Sequence, residues 1–176
     1  MKTVLVILIL FVHSRASAGD YKFYFFGVDL DYLKERNFAS VALGAVTSVA
    51  VHIAGHHAYA QINDIAVHQR GSKEYISGDT SESDKRGFAL AGFAGQHLIG
   101  LLLTSFEATR HSDFTRGYVA VAALETLSYP LRHRNDGDFN TSERNGGNKN
   151  LEYGIFSLIS LHNVFRVKWY HGAKVR

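Results

Sequence analysis

The 176-residue chain is predicted to be all-α: a four-helix membrane bundle that follows an N-terminal signal peptide. Three observations predict it. Apolar stretches of helical length alternate with polar loops, the first of these stretches sets two histidines one turn apart, and the opening residues have the form of an export signal. Composition agrees, since 46% hydrophobic and 12% aromatic residues exclude a disordered or fibrous chain. The mean hydropathy of −0.07 reflects the strong polarity of the loops and tail.

Residues 1–18 read as the signal peptide. Lys2 opens a short basic region, Val4 to Val12 form an apolar core short for a bilayer span, and Ala16-Ser17-Ala18 is a small-residue cleavage site before Gly19, with a retained anchor as the alternative. The expected destination is a bacterial inner membrane, reached by export. Residues 19–37 follow as an interfacial segment, helix or strand. Tyr21, Phe23, Tyr24, Phe25 and Phe26 precede Asp29, Asp31, Lys34, Glu35 and Arg36, a mixture suited to headgroup depth. An ordinary amphipathic surface segment is the alternative.

Residues 38–170 are expected to form the four-helix membrane domain. The first helix, Phe38 to Ile62, interleaves Ala, Gly and Ser with Val and Ile. The second, Gly87 to Phe106, is apolar except for Gln96 and His97, and Ala91, Gly92, Gly95 and Gly100 would let it approach a neighbour closely. The third, Gly117 to Leu131, carries Glu125 and ends near Pro130. The fourth, Leu151 to Val167, carries His162 and runs into Arg166-Val167-Lys168-Trp169-Tyr170, whose aromatic residues suit an interface anchor. Residues 171–176 are a basic tail, and 63–86 and 132–150 read as polar loops. A soluble, secreted four-helix bundle is the competing architecture.

The net charge of +3 is mild and no basic stripe with interleaved aromatics is present, so nucleic acid is not an expected partner. Membrane lipid is, together with a membrane-protein partner or substrate. The chain has no cysteine, which removes disulfides, thiolate metal sites and cysteine nucleophiles. Any metal would be held by His, Asp, Glu, backbone or water.

His52 and His56 carry the functional argument. Four residues apart on a helix, they lie about 40° apart around the axis, so both imidazoles can converge on one ion or cofactor. Zinc hydrolases with a His-Glu-x-x-His helix use this spacing: the histidines bind the metal, the glutamate activates water, and a third ligand comes from elsewhere. Here the string is His52-Ile53-Ala54-Gly55-His56, with the ligand spacing intact and Ile53 where the base would stand.

Val51-His52-Ile53-Ala54-Gly55-His56-His57-Ala58-Tyr59-Ala60 resembles the metal-binding helix of the intramembrane zinc metalloproteases, the site-2 protease family. Gly55 before His56 and the small residues after it match that pattern. The resemblance implies an aspartate as third ligand, from an Asp-Gly motif preceded by proline. Pro130 stands ahead of Asn135-Asp136-Gly137-Asp138, which nominates Asp138 or Asp136, although a solvated turn is the plain reading of that stretch. It further implies a zinc-binding relative that is proteolytically impaired or inactive. Glu125 on the third helix is the candidate substitute base, with structural pairing to a histidine or to Arg116 as the alternative.

Other readings of the histidines stay open. His97 and His162, together with His52 or His56, would suit axial ligation of haem b between helices, making an electron-transfer protein. His52-x-x-x-His56-His57 has the form of one histidine box of a membrane di-iron enzyme. Alternatively His52, His56 and His97 form a hydrogen-bonded packing cluster with Gln96, Ser48 or Glu125.

Overall fold

The computed structural model describes residues 37–70, 73–77, 79–131 and 137–167, and four dipeptide strands between residues 16 and 29. Those strands form two small antiparallel pairs: β1 (Ala16–Ser17) with β2 (Asp20–Tyr21), and β3 (Tyr24–Phe25) with β4 (Val28–Asp29). The remainder of the signal peptide, Asp136 and the basic tail lie outside the described residues.

Helix α1 (Phe38–Ile62) starts at Asn37, whose side chain accepts the Ser40 N–H and whose own N–H donates to Asp113 at 3.1 Å. The β5–β6 hairpin follows, pairing Val67–Arg70 antiparallel with Lys73–Ile76. Helix α2 (Glu82–Ser105) is capped by Ser81, whose hydroxyl oxygen accepts the Asp84 N–H; Glu82 and Asp84 place negative charge on the first turn. A short α3 (Glu107–Arg110) leads to α4 (Asp113–Leu127), capped by Ser112, and a 3-10 turn at Tyr129–Leu131 contains Pro130. Helix α5 (Asp138–Arg144) and helix α6 (Lys149–Arg166) complete the described chain.

The mostly helical structure fits the all-α expectation and corrects its detail. There are six α-helices among the described residues, and the four long ones correspond to those expected. Part of the supposed loop at 63–86 is a hairpin, and part of that at 132–150 is α5. Helix α2 begins five residues earlier than Gly87 because Ser81-Glu82-Ser83-Asp84 is a capping sequence. Helix α4 begins at Asp113 for the same reason and stops before Pro130, whose fixed φ and missing N–H suit the turn that follows.

Helix α1 packs along α2 and α4, while α6 and α5 close the other side of α2. At the α1–α4 crossing the backbones touch: a β-carbon on Gly44 would collide with the Phe114 carbonyl, and one on Gly117 with that of Val41. The aromatic core is small, formed by Phe93, Tyr129 and Phe139, with Phe156 packed beside it. Much of the remaining interior is polar, including Ser48, Gln96, His97, Thr126 and Ser160. Large apolar side chains face outward instead: Leu43, Val46 and Ile53 on α1, Leu98 and Leu102 on α2, and Leu158 and Phe165 on α6, with Phe165 84% exposed.

Candidate metal centre

Helical spacing brings His52 and His56 to the same face of α1, where their Nε2 atoms lie 3.2 Å apart. Helix α5 presents Asp138 from its first turn. The Asp138 Oδ2 is 3.2 Å from Nε2 of His52 and 3.9 Å from that of His56. Residues distant in sequence thus converge through three elements: α1 carries the imidazoles, α5 carries the carboxylate, and α2 backs both.

The position of α5 is explained by its neighbours. Phe139, beside the aspartate, is 0% exposed and stacks on Phe93 of α2 at 4.7 Å between centroids, with Tyr129 edge-on at the same distance. At the other end Gly146 adopts φ +81°, and the N–H groups of Gly146 and Gly147 donate to the carbonyls of Glu143 and Ser142. This is a Schellman stop, which glycine enters without the steric penalty of a β-carbon. Ser142 also donates to Glu152 of α6 at 2.7 Å, and Arg86 of α2 donates to the same carboxylate at 2.9 and 3.0 Å. Asp138 is therefore held on a helix tied to both α2 and α6.

The ring nitrogens away from the site have defined partners. The Nδ1 of His56 is 2.6 Å from the carbonyl oxygen of Phe88, which can only accept, so that nitrogen carries the proton. The Nδ1 of His52 is 3.4 Å from Oε1 of Gln96. The Gln96 orientation follows from its other end, where Nε2 faces three acceptors: Glu125 Oε2 at 2.7 Å, Ser48 Oγ at 2.9 Å and the Ser48 carbonyl at 3.3 Å. With these partners the neutral form of each imidazole is the Nδ1–H tautomer, whose Nε2 lone pair turns toward the other ring and toward Asp138.

Two lone pairs and a carboxylate oxygen facing one another require a cation or a shared proton between them. The spacing suits a small cation: with metal–ligand bonds of about 2.0–2.1 Å, tetrahedral geometry sets ligands about 3.3 Å apart. Two observed separations are 3.2 Å and the third is 3.9 Å. Gly92 of α2 gives the site room, because a β-carbon there would collide with Nε2 of both histidines. Among the described residues, His52, His56 and Asp138 are the group whose ligand atoms all lie within 4.8 Å of one another. On a four-coordinate ion, three such ligands would leave one position for water or substrate.

The remaining sequence candidates occupy other positions. Glu125 lies behind Gln96, with the carboxamide between it and His52. Ile53 is 46% exposed, and His57 is exposed. His97 is buried against both Phe93 and Phe156, with Nε2 2.9 Å from Thr126 Oγ1 and 3.3 Å from Ser160 Oγ. His162 is exposed two residues beyond Ser160, about 200° further round the helix, so it points away from His97. The haem pair is not brought together. The Phe88 carbonyl, the Phe139 anchor and the clearance that Gly92 gives the histidines escaped the sequence reading; the acidic start and basic end of 138–144 were the available signal for α5.

No protein-family model matches the chain, and no curated protein or solved structure matches it either. The functional reading therefore rests on the residues themselves.

Proposed function

We propose that this is a small helical membrane protein with a two-histidine, one-aspartate zinc centre at His52, His56 and Asp138, akin to that of the intramembrane zinc metalloproteases. The observation that carries the reading is the convergence of two tautomerically defined Nε2 atoms and one carboxylate oxygen beside a glycine. Bound zinc would supply Lewis-acid chemistry at the open position. This chain's residues hold it, fix the ring orientations and limit access.

Proteolysis is proposed to be impaired. Ile53 replaces the glutamate of the matching pattern and cannot accept a proton. A positioned general base contributes about 10²–10⁴-fold in rate. Glu125 is separated from the metal-facing nitrogens by Gln96, which leaves that loss without a direct substitute.

Membrane residence is supported by the side-chain distribution. Helices α1 and α2 are long and apolar enough to cross a bilayer, and only 11% of the apolar window of α1 is buried. A soluble core helix of that composition would have its apolar residues covered. Location in a bacterial inner membrane, after export, belongs to the same proposal.

Metal analysis tests the centre. Detergent-purified protein is expected to retain zinc stoichiometrically, and a His52→Ala/His56→Ala double variant is expected to lose it. Wild-type protein that takes up no zinc, even after incubation with the ion, would leave a hydrogen-bonded packing cluster as the account of these residues.

A further inference from the structure

Glu125 has an environment that the ligand set alone does not explain. It sits on α4, and among the described residues no Lys or Arg forms an ion pair with it. Its contact is Gln96, which is 0% exposed and whose Nε2 donates to Glu125 at 2.7 Å. The other end of the same carboxamide accepts from His52 Nδ1. Tyr118, also 0% exposed, donates its hydroxyl to the Gln96 carbonyl at 2.9 Å and so steadies the backbone at that point. A carboxylate, an amide of fixed orientation and a metal-facing imidazole therefore form one chain.

Charge supplies the reason for such a chain. A divalent cation held by Asp138 and two neutral imidazoles leaves a net charge of +1 in a poorly solvated site, and desolvated unbalanced charge is costly. One further carboxylate brings the centre to neutrality. Its link through an aligned carboxamide also makes His52 a better donor to the cation, because a hydrogen bond accepted from Nδ1–H raises the basicity of the opposite nitrogen.

We infer that Glu125, acting through Gln96, is the charge-compensating and positioning residue of the metal centre, raising its affinity for a divalent cation without touching it. This rests on the zinc reading of His52, His56 and Asp138. Outer groups of this kind are worth about 10–100-fold in metal affinity.

The test is a chelator-competition titration with zinc on the full-length protein in detergent, comparing wild type, Glu125→Gln, Glu125→Asp and Gln96→Ala. Glu125→Gln keeps an acceptor for Gln96 and removes only the charge; the expected result is a zinc affinity lower by about 10-fold or more. Glu125→Asp retains the charge and is expected to stay within a few-fold of wild type. Gln96→Ala cuts the link and is expected to fall about as far as Glu125→Gln. Unchanged affinity in Glu125→Gln overturns the inference, as does an equal loss in Glu125→Gln and Glu125→Asp, which would make the role geometric. Should Glu125→Gln fail to fold, unchanged affinity in Gln96→Ala overturns it independently. The two levels separate cleanly: wild type that binds zinc, lost in His52→Ala/His56→Ala but kept in Glu125→Gln, sinks this inference alone, whereas wild type without zinc affinity sinks both.

Discussion

At the scale of single residues, the proposed metal centre depends on one absent side chain as much as on three present ones. Gly92 leaves the space beside both Nε2 atoms, so Gly92→Ala is expected to displace the imidazoles and lower zinc affinity while leaving helix content unchanged. Titration with zinc alongside circular dichroism checks this, and wild-type affinity in the variant would contradict it. Zinc retention should also fall as the medium is acidified, because protons compete for the imidazole nitrogens that face the ion. The histidine pair was legible in the sequence, since i and i+4 share a helix face whatever surrounds them. Asp138 was legible only through its motif and as one of two candidates. Its arrival depends on the burial of Phe139 against Tyr129 and against Phe93, 46 positions earlier in the sequence, a packing that no local pattern records. Gly92 read simply as one small residue among several, because its role appears only once His52 and His56 stand opposite.

At the scale of elements, caps decide the boundaries and one buried carboxylate ties three helices. The four long helices were readable from apolar stretches, yet α2 and α4 both start earlier than those stretches suggest, at Ser81 and Ser112. Their first turns are polar, so the apolar pattern begins late while the capping hydroxyls mark the true starts. The hairpin at Val67–Arg70 and Lys73–Ile76 lacks a sustained apolar alternation, which is why it reads as loop. Helix α5 is short and mostly polar, and is secured at its far end by Ser142 and Glu152. Ser142→Ala would leave a buried carboxylate oxygen without its donor, a loss of about 1–3 kcal/mol. The variant should melt at a lower temperature and bind zinc more weakly, because α5 carries Asp138. A lower melting point with unaltered zinc affinity would show that Asp138 is held without this tie.

At the scale of the whole molecule, the described helices bury many polar side chains and leave many large apolar ones exposed. Ser48, Gln96, Thr126 and Ser160 lie inside, while Leu43, Val46, Leu98, Leu158 and Phe165 face out. Hydrocarbon surroundings would make that arrangement favourable, since outward leucines would lose nothing and interhelical polar contacts would be protected from water. The sequence carried this in its apolar stretches and close-packing glycines, although only the folded arrangement separates outward from inward side chains. Membranes containing the protein, washed with alkaline carbonate, are expected to retain it in the pellet; release into the supernatant would favour the secreted bundle. A zinc K-edge X-ray absorption spectrum of the purified protein probes the proposed centre itself. Two imidazole nitrogens and oxygen at about 2.0–2.1 Å in a four-coordinate shell are expected, with the imidazole scattering lost in the His52→Ala/His56→Ala variant. A shell of oxygens without imidazole, or a spectrum the double variant leaves unchanged, would contradict it.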